Sequence, residues 1–107
     1  MKEPLKTTFN LYHTERRNLM FRVSYVVQQK LTQLKWSGIR HVEIARKLGV
    51  PKTRISEAYH RKYVNEDLVR RMISHGYLSS SDFFDGKRKW TDHQALSLQI
   101  LLLETDS

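Results

Sequence analysis

The chain has 107 residues, of which 39% are hydrophobic, enough for one modest core. It contains no cysteine, which excludes disulfides and thiolate metal sites. Lys and Arg number 19 against 11 Asp and Glu, and the resulting net charge of +8 attracts polyanions.

Neither membrane insertion nor export is expected. No run approaches the roughly 18 consecutive apolar residues that a membrane-spanning helix needs. The N-terminal stretch MKEPLKTTFNLYH lacks the apolar core of a signal peptide. The sequence therefore predicts a soluble, cytoplasmic protein.

Helical periodicity begins at Thr14, a residue type suited to an N-cap, and residues 1–13 are interpreted as an N-terminal arm. No Gly or Pro follows until Gly38, so one long helix is predicted to end near Trp36. Its apolar stripe has three- and four-residue spacing and consists of Leu19, Met20, Val23, Val26, Val27, Leu31 and Leu34.

Three further helices are predicted, over about 41–48, 52–62 and 65–75. Asn65 is a suitable N-cap for the last of these, and Gly76 is a suitable stop. The run from Ser79 to Asp82 is interpreted as a linker or as another helix start.

The sequence of the C-terminal segment is compatible with either a helix or a strand. Thr91 and Gln94 form the sequence of a capping box, which favours a helix. The following leucines also alternate with other residues, which fits a strand. The fold class is therefore predicted as all-α, a small helical bundle with a C-terminal helix or strand used for oligomerisation.

Residues 41–61 (HVEIARKLGVPKTRISEAYHR) have the features that let two helices pack steeply across a tight turn. Ala45 lies where the helices would approach most closely. Gly49 ends the first helix where positive φ is favoured, and Pro51 suits the first turn of the second. Val50 and Ile55 would fill the corner. The pattern predicts a helix-turn-helix whose buried face also includes Ile44, Leu48 and Ala58.

The second helix of this motif leaves polar and basic side chains exposed. Seven basic and two acidic residues fall within 40–63, so this segment carries +5 of the total +8. Arg and Lys bind guanine edges or phosphates, and Ser and Thr hydrogen-bond to either. We therefore predict that this helix enters a major groove. The candidate DNA-binding residues are Arg40, Lys47, Lys52, Thr53, Arg54, Ser56, Glu57, His60 and Arg61.

The stretch EIARKLGVPKTRIS, with Ala45, Gly49 and Ile55 at the key positions, resembles the helix-turn-helix of phage regulators of the lambda repressor, Cro and CII type. The resemblance covers residues 41–61, and the rest of the chain has no clear counterpart. It implies a base-reading second helix and dimers or tetramers on repeated half-sites. It also implies a repressor or activator of transcription of bacterial or phage origin, associated with the bacterial nucleoid.

Glu57 departs from this resemblance, because regulators of this type often carry Arg or Gln at that position. A carboxylate there could accept a hydrogen bond from cytosine N4. It could instead hold a neighbouring Arg in place, and the sequence leaves both interpretations open.

A second basic segment, Lys87, Arg88 and Lys89, follows the turn signal of Asp85 and Gly86. It is interpreted either as a basic arm that reaches backbone phosphates or as a solvated loop. Trp90 is expected to anchor this loop to the core rather than to stack on a base.

The C-terminal segment has more apolar residues than one face of so small a monomer needs. They either close the core against the first helix or form a homodimer surface. The dimer is favoured because a repeated DNA site needs two copies one helical turn apart. The candidate dimerisation residues are Leu96, Leu98, Ile100, Leu101, Leu102 and Leu103. The chain is thus divided into the arm (1–13), a helical DNA-binding domain (14–78), and a basic loop with an apolar dimerisation segment (79–107).

Enzymatic and metal-binding functions have no positive support. The five histidines are scattered singly, without metal-ligand spacing, and no phosphate-cradling glycine loop or nucleophile-elbow sequence occurs. No cofactor, metal or small-molecule substrate is expected. Two other functions stay open: a protein-interaction adaptor such as an antirepressor, and a nucleic-acid-binding protein without sequence preference.

Overall fold

A computed structural model describes the backbone of residues 2–60 and 63–106 and the side chains of residues 16–60 and 63–105. Within these ranges the fold is all-α, as predicted, and the C-terminal segment is a helix rather than a strand. None of the described helices is both long and apolar enough to span a membrane. The helices are α1 (Lys2–Trp36), α2 (His41–Leu48), α3 (Lys52–His60), α4 (Glu66–Ser74), α5 (Ser80–Phe83) and α6 (Asp92–Asp106).

The first helix is longer than the sequence pattern predicts. It begins at Lys2, so Thr14 lies inside it and is not its N-cap, and residues 2–13 are helical rather than an irregular arm. Pro4 is compatible with this start, because the first turn of a helix does not use its backbone N–H groups. At 1.5 Å per residue its 35 residues span about 52 Å, which accounts for the 55 Å long dimension of the molecule. α1 ends before Gly38, as predicted, where φ is 90°.

One hydrophobic core joins residues from all six helices. The stripe of α1 lies at its centre, and Phe83 of α5 is fully buried against the same cluster. Residues 79–105 therefore pack on the same core as the helices before them. The buried members from the helices are Val23, Val26, Val27, Leu31, Ile44, Ala45, Leu48, Ile55, Ala58, Leu68, Val69, Met72, Ile73, Phe83, Leu98 and Leu101.

Side-chain caps fix the starts of the three C-terminal helices. Asn65 Oδ1 accepts a hydrogen bond from the N–H of Leu68 at 2.8 Å, which confirms the predicted N-cap of α4. The predicted capping box of α6 is present, since Thr91 and Gln94 each accept from the other's backbone N–H. Ser79–Asp82 forms a second capping box, which makes this run the start of α5 rather than a linker.

The helix α6 divides its apolar side chains between the core and the solvent. Leu98 is fully buried and Leu101 is 9% exposed, because the monomer's own core covers them. Both pack in the core of the monomer, which favours the alternative in which the C-terminal segment closes the core for these two residues. A dimer surface formed by the six residues stays a prediction. Leu102 is partly buried against the core. The residues that remain exposed lie at a spacing of four and three and are Leu96 (55%), Ile100 (47%) and Leu103 (73%).

We predict that Leu98→Ala lowers the free energy of unfolding by about 2–5 kcal/mol, because it leaves a cavity in a packed core. Gln99→Ala is the matched control at an exposed position of α6 and should change that free energy by less than about 0.5 kcal/mol. Urea denaturation at two protein concentrations measures both and separates core packing from self-association. Equal losses from the two variants would contradict this placement of α6.

Candidate nucleic-acid interface

The turn between α2 and α3 is only three residues long, Gly49 to Pro51. Gly49 adopts a φ of 71°, in the left-handed region that favours glycine. The N–H of Val50 then donates to the carbonyl of Ala45 at 3.0 Å, which closes the end of α2. Of the residues predicted to be buried around this turn, Val50 is only partly buried. The others are buried: Ile44, Ala45, Leu48, Ile55 and Ala58.

Arg71 of α4 holds the turn from outside. Its Nη1 donates to the carbonyl of Leu48, the last residue of α2, at 2.9 Å. Its Nε donates to Asp67 Oδ2 at 2.9 Å, which fixes the guanidinium in place. Nη1 also lies 3.5 Å from where a Cβ on Gly49 would be. The sequence pattern does not predict this contact, because no local spacing relates Arg71 to a carbonyl 23 residues earlier.

The outer side of α3 presents most of the predicted base-contacting residues to solvent. Lys52, Thr53, Arg54 and His60 are exposed, while Ser56 and Glu57 are half-buried. On the α2 side of the turn, the two candidates are exposed: Arg40 and Lys47. The remaining candidate, Arg61, lies outside the described residues.

Arg54 has an intramolecular partner, but a weak one. Its Nη1 lies 3.5 Å from Asp67 Oδ2, and both side chains are about half exposed. Ion pairs of this kind contribute little, because water screens them. Glu57 lines a crevice with Arg54 and Tyr63, yet the carboxylate that Arg54 contacts belongs to Asp67.

An open cleft, called the basic cleft below, lies between the end of α1, the start of α2 and α3. It is lined by Lys35, Gly38, Ile39, Arg40, His41, Val42, Lys52, Ser56 and His60. The sequence pattern does not predict that Lys35 and His41 belong to the site, because only the tertiary fold brings them beside α3.

The aromatic ring of Tyr59 organises the basic cleft. The rings of His41 and His60 each lie 4.7 Å from it in edge-on contact, and Lys35 Nζ lies 5.0 Å from its centroid. Partial burial lowers the pKa of His41, and the positive charges of Lys35, His60 and Lys52 lower that pKa further. The carbonyl of Leu31, 3.5 Å from His41 Nε2, opposes this effect.

The basic loop, residues 87–89, is ordered by Asp85. The Asp85 carboxylate accepts from the backbone N–H groups of Arg88 and Lys87, both at 3.0 Å, and these bonds lower the pKa of Asp85. The Arg88 guanidinium folds back onto Asp85 at 2.8 Å and also donates to Gln29 of α1. Arg88 is therefore engaged within the monomer, while Lys87 and Lys89 are exposed.

Trp90 anchors the basic loop to the core, as predicted. Its Nε1 donates to the carbonyl of Phe83 at 2.8 Å, and Arg22 lies over its ring at 4.3 Å. The loop also lies near α3: Gln28 of α1 lines a groove with Lys87 and donates to the carbonyl of Tyr59 at 2.9 Å. One side of the molecule thus carries the exposed face of α3 and the basic cleft, and α1 connects that side with the basic loop.

Searches against models of protein families, against curated protein sequences and against solved structures found no match for this chain. What this side of the molecule binds is therefore inferred from its geometry and charge.

Proposed function

We propose that α2 and α3 form a helix-turn-helix and that the chain is a sequence-specific regulator of transcription, of bacterial or phage origin, that binds duplex DNA. The observation that carries this proposal is the division of α3 between core and solvent. Ile55 and Ala58 fix the helix in the core, while its first turn presents Lys52, Thr53 and Arg54 to solvent. A fixed helix with an exposed polar end is what major-groove reading requires.

The dimensions of α3 support this proposal. Nine residues make a helix about 13 Å long and, with side chains, about 10 Å across. The major groove of B-DNA is about 12 Å wide and admits such a helix. Arg54 can leave Asp67 for a guanine edge at small cost, because their ion pair is exposed and 3.5 Å long.

Backbone contacts would come from the cations that flank α3. Arg40 and Lys47 are exposed on one side, and Lys87 and Lys89 are exposed on the loop. Contacts to phosphate oxygens position a protein on the duplex without reading sequence. We therefore assign base reading to the first turn of α3 and assign orientation to these four residues.

We predict that Arg54→Ala weakens binding to the preferred duplex by about 1–3 kcal/mol and relaxes the preference at one base pair. Lys89→Ala is the matched control, an exposed cation outside α3, and should weaken binding to all duplexes alike while lowering the salt slope by about one. Fluorescence anisotropy with the preferred duplex and a scrambled duplex, at several salt concentrations, measures both variants. Equal losses on the two duplexes for Arg54→Ala would refute base reading by α3.

We further propose that the chain binds DNA as a homodimer through the exposed stripe of α6, defined as Leu96, Ile100 and Leu103. In a two-fold dimer the same patch meets itself, so any charge in it meets a like charge. Residues 93–103 contain no Asp, Glu, Lys or Arg, and the stripe is therefore free of this repulsion. A dimer would also place two copies of α3 on one face of a duplex.

We predict that Ile100→Glu converts a dimer into a monomer, because it buries two like carboxylates at the two-fold axis. Gln33→Glu, which adds the same charge at an exposed position of α1, should leave the dimer intact. Multi-angle light scattering gives the mass of each. A wild-type protein with the mass of one chain, 12.8 kDa, would refute the dimer and leave the assignment of α3 to be tested separately.

A further inference from the structure

The basic cleft gathers positive charge without any carboxylate to balance it. Lys35 comes from α1, Arg40 and His41 from the start of α2, and Lys52 and His60 from α3. The described side chains that line the cleft include no Asp or Glu. Ser56 adds a hydroxyl that can donate a hydrogen bond. The chemistry of this lining fits a phosphate group.

Six cations outside the cleft pair with carboxylates among the described side chains: Arg16, Lys30, Arg54, Arg70, Arg71 and Arg88. Lys30 pairs with Asp82 at 2.9 Å, and Arg70 pairs with both Glu66 and Glu104 at 2.9 Å. Among the ion pairs of the described side chains, none involves a cation of the basic cleft. The positive charge of the cleft is therefore left for a ligand from outside the monomer.

We propose that the basic cleft binds a backbone phosphate of DNA and that this binding adds a proton to His41. The proposal rests on the proposed function, because the cleft adjoins the exposed face of α3. Beyond the proposed function, the inference names a specific phosphate-binding site and couples DNA affinity to pH.

The coupling follows from the groups that surround His41. Lys35 of α1 and Lys52 and His60 of α3 all disfavour a further positive charge on this ring. The ring of Tyr59, whose centroid lies 4.7 Å from that of His41, brings no carboxylate to offset them. Because Nε2 of His41 donates to the carbonyl of Leu31, Nδ1 is the ring nitrogen that gains the proton. A phosphate among these cations reverses the local field and favours the protonated ring.

The sign and size of the pH effect on DNA affinity follow from the thermodynamic linkage between proton binding and DNA binding. In the free protein the pKa of His41 is lowered, so its ring is neutral near pH 7. A bound phosphate raises that pKa, so DNA affinity increases as the pH falls through the bound value. A rise of one pKa unit on binding makes the affinity about tenfold higher at low pH than at high pH.

The test compares the wild-type chain, His41→Gln and His75→Gln from about pH 5.5 to about pH 8, the range in which histidines titrate. His75 is an exposed histidine at the end of α4 and serves as the matched control. Anisotropy with a fixed duplex at constant ionic strength gives the affinity. We expect about a tenfold change for the wild type and for His75→Gln, and a clearly smaller change for His41→Gln, in which only His60 of the cleft still titrates, with the sequence preference retained.

A second measurement identifies the phosphate source. The NMR titration of the His41 ring is followed alone, with duplex DNA and with inorganic phosphate, and we expect its pKa to rise clearly only with DNA. Sequence-selective binding with the same pH profile in His41→Gln would overturn this inference while leaving the proposed function standing. Absence of DNA binding at every pH would instead refute the proposed function itself. A pKa rise with inorganic phosphate but not with DNA would overturn the assignment of the cleft to DNA.

Discussion

Helix α3 has to be held firmly while one of its sides stays open to solvent, and the three-residue turn before it makes this possible. Gly49 accepts the left-handed backbone that closes α2, and Ile55 then lies fully buried in the core shared with α1. Arg71 ties the end of α2 to α4 through the carbonyl of Leu48. With α3 fixed from the inside, the positions of its exposed side chains are defined before any ligand arrives, which lowers the entropy cost of binding.

Charge is distributed unevenly over the molecule, and positive charge lies beside the exposed helix α3. Carboxylates pair with cations on α1, α4 and the loop after α5, as in Lys30 with Asp82 and Arg70 with Glu66. The cations of the basic cleft lie beside α3, and Lys87 and Lys89 are exposed on the basic loop. A net charge of +8 thus becomes a positive surface beside a fixed helix. In the proposed function, binding of DNA to this surface would release counterions, and the affinity would therefore depend on salt.

Local chemistry was sufficient to predict much of the fold. The caps at Asn65 and Thr91 act within one helical turn, so the sequence alone could locate the starts of α4 and α6 and favour a helix over a strand at the C-terminus. Long-range packing was not predictable in this way. Leu98 and Leu96 look alike in the sequence, and only contact with the rest of the core decides that the first is buried. The basic cleft joins residues from three helices, so the sequence alone does not group His41 with the other residues of the cleft.

The central claim is that α3 reads DNA sequence, and selection of bound duplexes from a random pool tests it most directly. We expect successive rounds to converge on one motif, with two half-sites spaced about one helical turn apart, 10–10.5 base pairs. The same selection with Arg54→Ala should yield a motif degenerate at one position of each half-site. Recovery of sequences as diverse as the starting pool, at an affinity equal to that for random DNA, would contradict the account.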